Sequence, residues 1–317
     1  MLLISVDGGT TNTRLVLMRD GQILSGLRLK FGLRDRLSGE GPSYGETLSG
    51  GIHRLLDENG IPESGVAGVA VSGMICSERG LCEVPHLPAP VGVRELAAAV
   101  VRAEFPDIAG IPFFLIPGVK TSAEDGLSGI DVMRGEETEL FGITSKTGLR
   151  GAFSMILPGS HCKIIPVDPD GKIRVFTTML SGELIRASAE HTILREGIGD
   201  AYPSEIDSEK LLAGFDYSRE HGLTEALFKV RMLQKFKGYS PEELFCFLCG
   251  AVLSEDMRAI ERNARGKIYV GGSEPFRTAY TTLLRERTGL EAEAVPEQTA
   301  RYAAAYGAEA LIGEIMK

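Results

Sequence analysis

The sequence predicts a mixed α/β fold made of two similar halves, and three observations carry that expectation. The chain has 317 residues, which at about 150 residues per domain amounts to roughly two domains. Short apolar segments alternate with longer stretches of helical periodicity, the pattern of sheets covered by helices. A five-part unit occurs twice: strand, glycine–hydroxyl turn, strand, Asp-Gly turn, strand. Gly9 and Gly21 lie 12 positions apart, Gly159 and Gly171 also lie 12 apart, and Thr10 matches Ser160. Matched spacing with matched turn chemistry points to duplicated architecture.

Taken in order, Leu2–Val6, Leu15–Arg19 and Ile23–Lys30 read as strands, the last two joined by Asp20-Gly21. Asp-Gly suits a tight hairpin because glycine accepts positive φ. A helix is expected over Tyr44–Asn59, closed by Gly60 and Pro62. Val66–Val71 and Phe113–Ile116 read as buried strands, Arg94–Glu104 as a helix stopped by Pro106, and Gly135–Thr144 as a short helix. In the second half, Phe153–Leu157, Lys163–Val167 and Ile173–Phe176 read as strands. Helices are expected over Gly182–Arg195, Glu209–Glu220, Thr224–Lys237 and Pro241–Asn263, with Ser240-Pro241 a good start signal. Ile268–Val270 is a strand, Pro275–Thr288 a helix, Ala294 part of a short strand, and Glu297–Met316 a terminal helix.

Composition narrows the function classes. Hydrophobic residues at 43% and charged residues at 24% are ordinary for a globular chain, so wholesale disorder is excluded. The 34 basic and 43 acidic side chains leave a net charge of −9, which argues against nucleic-acid or anionic-membrane partners. A local cationic site stays compatible with it. No window approaches 18 uninterrupted apolar residues, and Leu2–Val6 is too short for a signal segment. Five cysteines without a basic leader suit a reducing compartment. A soluble cytoplasmic protein is expected, with a homodimer left open.

Three turns could carry chemistry. Asp7-Gly8-Gly9-Thr10-Thr11-Asn12 delivers an acid into a glycine turn followed by hydroxyls. Backbone N–H and O–H donors there can face phosphate oxygens while Asp7 holds the waters of a Mg²⁺ ion. A solvated tight hairpin is the alternative. Pro158-Gly159-Ser160-His161-Cys162-Lys163 repeats the device; two such hairpins can grip one nucleotide's phosphates, with His161 and Lys163 as further donors. Gly271-Gly272-Ser273 follows a strand and opens a helix, where bare backbone could admit a ribose or a flat ring. Neither phosphate turn is a Walker A loop or a Gly-x-Gly-x-x-Gly fingerprint. Cys246 and Cys249 form a lone C-x-x-C with no histidine at ligand spacing, so they read as small apolar helix residues.

These turns, in this order, resemble the sugar kinase, Hsp70 and actin superfamily. Closer matches lie in Val71–Gly80 with Glu83-Val84-Pro85-His86, in Asp131-Val132-Met133-Arg134-Gly135-Glu136-Glu137-Thr138, in Pro158–Lys163 and in Phe176–Leu184. They resemble the 2-dehydro-3-deoxygalactonokinases. Gly8-Gly9, where that family tends to have a bulkier residue before the glycine, and Cys162, where it has a small polar one, depart from the pattern. The resemblance implies two actin-like, ribonuclease H-like α/β domains with the nucleotide in a cleft between them, closing by hinge motion when sugar binds. Residues 1–145 would hold the first phosphate segment and the sugar, with the terminal helix 297–317 packing back on them. Residues 146–296 would hold the second phosphate segment and the adenosine segment.

The implied reaction is ATP-dependent phosphorylation of the 6-hydroxyl of 2-dehydro-3-deoxy-D-galactonate, with Mg²⁺ bridging the phosphates. Phosphoryl transfer needs positioning and charge neutralisation, plus a carboxylate for the attacking hydroxyl. Asp131 is the first candidate base, with Glu136 and Glu137 as alternates; all three also suit a helix N-terminus. The substrate carboxylate calls for a forked guanidinium: Arg79, Arg134 or Arg14, each equally compatible with a structural ion pair. Gly73, Met74, Ser77 and Glu183 complete the expected sugar contacts, although Glu183 could instead cap its helix. A kinase for another sugar or sugar acid, or a nucleotide-switched sugar sensor of this fold, is the alternative.

Overall fold

A computed structural model describes residues 1–10, 12–32, 43–121 and 126–317. The first three strands form as their patterning demands: β1 (Leu2–Gly8), β2 (Thr13–Arg19) and β3 (Gln22–Leu29) are antiparallel neighbours. Asp20 and Gly21 take positive φ of 49° and 77°, the backbone of the two-residue turn that Asp-Gly favours. β4 (Gly68–Gly73) then lies parallel to β1. β5 (Leu87–Pro88) is short, β6 (Val101–Ala103) is an edge, and β7 (Phe113–Leu115) runs parallel to β4. The sheet order is β3-β2-β1-β4-β7-β6. β8 (Val119–Lys120) and β9 (Val132–Met133) join β5 in a separate three-stranded sheet.

The second sheet repeats the first. β10 (Phe153–Leu157), β11 (Cys162–Val167) and β12 (Thr177–Met179) are antiparallel, and β13 (Lys267–Val270) and β14 (Ala292–Ala294) extend β10 in parallel. Its order, β12-β11-β10-β13-β14, matches β3-β2-β1-β4-β7 in sequence and sense. The chain divides into two units: residues 1–150, 170–175 and 302–317, and residues 151–169 with 176–301. Each has its own core. The first gathers Ile4, Val6, Leu15, Leu17, Leu48, Ile52, Val71 and Phe113; the second gathers Ile156, Ile164, Leu248, Leu253, Met257 and Tyr280.

Three expectations are corrected. The helix expected over Arg94–Glu104 ends at Ala98, and residues 101–103 form β6, because Val101, Arg102 and Ala103 pair with the flank of β7; tertiary pairing overrides the weak helical preference of Val100 and Val101. The strand expected over Ile173–Phe176 is not there. Residues 170–175 belong to the first unit, where Ile173 exchanges backbone hydrogen bonds with Val91 at 2.9 and 2.8 Å and Lys172 meets Glu95 at 2.5 Å. The third strand of the second hairpin is therefore β12, and Gly171 does not close a two-residue turn. The expected terminal helix breaks at Tyr302 into Glu297–Arg301 and Ala303–Ile315. In the first unit the latter packs on the helix Glu136–Thr147 so closely that a Cβ on Gly307 would lie 1.9 Å from the Thr138 carbonyl oxygen. Among the described residues no helix is long and apolar enough to cross a membrane.

Candidate functional site

In the first unit, three separate motifs meet at the end of β1. Asp7 is paired across the sheet with Arg14 on one side and Ser72 on the other, and Gly8 with Gly73. The turn beyond is closed by the Gly9 N–H donating to the Asn12 carbonyl at 2.9 Å, and Asn12 Oδ1 accepts from Arg28 at 3.2 Å. Gly73 has φ of +84°, and a Cβ there would lie 2.6 Å from the Gly8 carbonyl oxygen and 3.2 Å from Asp7 Oδ1. A side chain would be both strained and in collision. A Cβ on Gly135 would in turn lie 3.3 Å from the Gly73 Cα. The Asp7-Gly8-Gly9 turn, the Gly73-Met74 segment and the Arg134-Gly135-Glu136 segment therefore converge.

The charges there are mostly negative. Burial pushes the Asp7 carboxyl up, and Arg14, whose Nη1 lies 3.8 Å from Asp7 Oδ2, draws it back. Glu137 is 1% exposed, and both of its oxygens accept the Gly135 N–H, at 2.8 and 2.9 Å. Burial first, and then the charge of Glu136, pushes its carboxyl up to about 7. Glu139, which the sequence reasoning missed, is pushed up to about 8 by burial and then by the charges of Asp7 and Glu136. The signal for it was present: Glu136 and Glu139 are spaced i, i+3 on one helix, so both point the same way.

The sequence-predicted sugar residues fall into two kinds. Arg134 is committed internally: Nη1 donates to the Cys76 carbonyl at 2.7 Å, Nη2 to the Val84 carbonyl at 2.9 Å, and Nη2 lies 3.2 Å from His86 Nδ1. It pins the loop that follows Gly73. Ser77 Oγ donates to the Met74 carbonyl at 2.6 Å, while Met74 packs half-buried against the core. Arg79 is exposed and has no ion-pair partner among the described residues. Asp131 stands at the start of β9 rather than directly before the helix; its N–H donates to Thr121 Oγ1 at 2.7 Å, and its Oδ1 accepts from the Val132 N–H at 2.7 Å. Glu136 accepts from the Arg134 N–H at 3.0 Å. Thr11 lies outside the described residues.

The second unit also carries a glycine–hydroxyl turn, but with Leu157 in the strand position that Asp7 holds in the first. Gly159 and Ser160 are exposed between β10 and β11. Among the described residues neither the Ser160 hydroxyl nor the Thr10 hydroxyl has a partner. His161 Nε2 lies 3.6 Å from Glu183 Oε1. Lys163 is 4% exposed and donates to Thr178 Oγ1 at 2.7 Å, so it is a buried, engaged cation rather than an open one. Gly271 donates its N–H to the Ile156 carbonyl at 2.9 Å, and Gly272, at φ +74°, lies against Pro158, where a Cβ would be 2.8 Å from the carbonyl oxygen. The Gly271-Gly272-Ser273 segment and the Pro158–Lys163 turn are thus neighbours. Cys246 and Cys249 are buried and unpaired, and among the described residues no group of His, Cys, Asp and Glu has metal-binding geometry.

A family model described as 2-keto-3-deoxy-galactonokinase matches residues 7–307. A curated Rhizobium meliloti (strain 1021) protein named "Probable 2-dehydro-3-deoxygalactonokinase" is 28% identical over 298 residues, covering 92% of this chain and 91% of its own. A crystal structure of a Sinorhizobium meliloti protein assigned as a 2-dehydro-3-deoxygalactonokinase superposes with a TM-score of 0.77 at 26% identity, covering 99% of each chain. The Clostridium difficile activator of 2-hydroxyisocaproyl-CoA dehydratase, solved with bound ADPNP, superposes with a TM-score of 0.56 at 13% identity, covering 100% of this chain and 95% of its own. That last likeness concerns the fold alone.

Proposed function

Because the chain belongs to the 2-keto-3-deoxy-galactonokinase family, we propose that it transfers the γ-phosphoryl group of ATP to the 6-hydroxyl of 2-dehydro-3-deoxy-D-galactonate. It is a sugar-acid kinase with the actin-like ATPase fold of sugar kinases. The observation that supports this reading best is the contact of Gly73 with Gly8 and Asp7, which sets the sugar segment directly against a phosphate segment.

The residues fit ATP with Mg²⁺. Asp7 and Glu139 crowd negative charge that a divalent cation would neutralise, and the Thr10 and Ser160 hydroxyls are donors without internal partners. Mg²⁺, when bound, supplies charge neutralisation on the transferring phosphoryl group. Asp7 would hold it. Gly9, Thr10, Thr11 and Asn12 offer backbone and hydroxyl donors to phosphate oxygens, and Gly159, Ser160 and His161 offer a second set. Lys163 lends its charge from beneath the turn, and the bare Gly271-Gly272-Ser273 backbone takes the adenosine.

Asp131 accepts the proton of the attacking hydroxyl in this reading. Glu137 is the weaker alternate because Gly135 occupies both of its oxygens, and Glu136 already serves the Arg134 N–H. Arg79 meets the substrate carboxylate with its open fork, assisted by Arg14. Arg134 shapes the sugar loop from behind, Gly73, Met74 and Ser77 line it, and Glu183 contacts a sugar hydroxyl or holds His161.

The test is ADP release with and without sugar acid. Turnover that requires a 3-deoxy-2-keto sugar acid supports the reading. Turnover on neutral sugars alone, or without any sugar, sinks it. For the base, Asp131→Asn is expected to lower kcat by about 10²–10⁴-fold; near-wild-type turnover by the folded variant would remove Asp131 from the mechanism.

A further inference from the structure

The helix Pro241–Asn263 carries one acid into the second unit's core. Asp256 is 1% exposed and sits among the buried Leu253, Met257 and Ile260. A carboxylate in such surroundings is costly unless its oxygens are bonded. Both are: the Ser181 hydroxyl donates to Oδ1 and the Tyr280 hydroxyl to Oδ2. Even so, burial pushes the Asp256 carboxyl up to about 6, with Ser181 and Tyr280 opposing it. The Cys162 thiol, at the foot of the second phosphate turn, lies in the same cluster.

The two donors come from elements that touch the expected nucleotide segments. Ser181 opens the helix Ser181–His191. Its neighbour Gly182 lies so close to the turn that a Cβ would be 2.2 Å from the Gly159 carbonyl oxygen and 2.9 Å from the Ser160 Cα. The next residue, Glu183, donates its N–H to the Ser160 carbonyl at 3.0 Å. Tyr280 lies on the helix Phe276–Leu283, which follows Gly271-Gly272-Ser273. We propose that Asp256 is a positioning residue for nucleotide binding: by accepting the Ser181 and Tyr280 hydroxyls, it fixes the Gly159-Ser160 turn relative to the helix that follows the adenosine segment. The inference rests on the reading of that turn as a phosphate site. Asp256 acts through Ser181 and Gly182 and does not itself touch the nucleotide.

The test compares Ser181→Ala, Tyr280→Phe and Ser181→Thr in the full-length kinase, assayed well below each variant's melting temperature. Ser181→Ala deletes one hydroxyl and leaves the backbone alone. It is expected to raise KM for ATP about tenfold, the size of one lost charge-assisted hydrogen bond, while KM for the sugar acid stays within about twofold. Ser181→Thr, which keeps the hydroxyl, should restore KM for ATP. A merely structural network would lower the melting temperature and leave the folded enzyme's KM for ATP alone. The proposal is overturned if Ser181→Ala and Tyr280→Phe both keep the wild-type KM for ATP, or if both substrates' KM values rise together. Ser160→Ala separates the two levels. If it leaves ATP binding intact, the phosphate reading of the turn fails and this inference with it. If it weakens ATP binding while Ser181→Ala does not, only the role of Asp256 fails.

Discussion

The two glycine–hydroxyl turns each join a pair of antiparallel strands but differ in the charge around them. When Gly9 is set on Gly159, the position of Asp7 is taken by Leu157. The first turn therefore stands beside Asp7, Glu136, Glu137 and Glu139, with Arg14 as a counter-charge. The second carries His161, whose Nε2 lies 3.6 Å from Glu183 Oε1, and runs into the buried Lys163, while the buried Asp256 accepts the Ser181 and Tyr280 hydroxyls. An acidic turn suits a hydrated cation; a turn with a cation behind it suits phosphate oxygens directly. A duplicated scaffold can diverge in this way, because each copy keeps a glycine and a hydroxyl in its turn while Asp7 of one strand is Leu157 in the other.

The largest effect should follow Asp7→Asn. Loss of the acid is expected to cut kcat by about 10²–10³-fold, the scale of a lost electrostatic contact to the reacting charge, measured by ADP release and with the fold checked by circular dichroism. Ser160→Ala, on the other turn, should raise KM for ATP only about tenfold. Equal losses from the two substitutions would show that the turns are not specialised.

Gly73→Ala and Gly182→Ala probe the packing behind each turn. Gly73 needs its positive φ as well as the space, whereas Gly182 needs only the space. Gly73→Ala should cost about 1–3 kcal/mol of stability from backbone strain alone, with further loss from the collision with Gly8, read by denaturant unfolding. Gly182→Ala should weaken ATP binding more than sugar-acid binding.

The arginines offer a smaller contrast. Arg79→Lys should raise KM for the sugar acid several-fold and leave stability within about 0.5 kcal/mol, as an exposed residue does. Arg134→Lys should destabilise by about 1–3 kcal/mol, because the Cys76 and Val84 carbonyls lose the forked donor they share. The smallest effect is expected from Cys246→Ala and Cys249→Ala. These should leave kcat and both KM values unchanged, since both thiols are free, Cys249 packs in the second core and Cys246 accepts the Asp207 N–H; a loss of activity reversed by added metal would contradict that.

Much of the fold was readable from local signals. Asp20-Gly21 and Ser240-Pro241 carry their structure within a few residues: a positive-φ pair in one case, a capping box with Glu243 in the other. Residues 94–104 and 170–176 were misread for a common reason. Val101 and Ile173 each form backbone hydrogen bonds with residues distant in sequence, Leu115 and Val91, and no local periodicity reports such a partner. The site divides along the same line. Asp7, Gly9 and Ser160 announce themselves because turn chemistry is local. For Arg134 the motif is compatible with a substrate contact or a structural role alike, and only packing shows that the Cys76 and Val84 carbonyls hold its guanidinium. Asp256 lay within an apolar helical stretch, spaced with Leu253, Met257 and Ile260 along one buried face. That spacing was a signal of a buried acid, although its partners Ser181 and Tyr280 could not be read from it.

Residue order alone established the duplicated α/β plan, the two glycine–hydroxyl turns and the kinase-like motifs, because each depends on bonds between near neighbours. The tertiary structure decided which charged groups are open and which are consumed. Burial and hydrogen bonding set the state of Asp7, Glu137, Arg134, Lys163 and Asp256, and both depend on contacts between segments that the chain brings together only by folding.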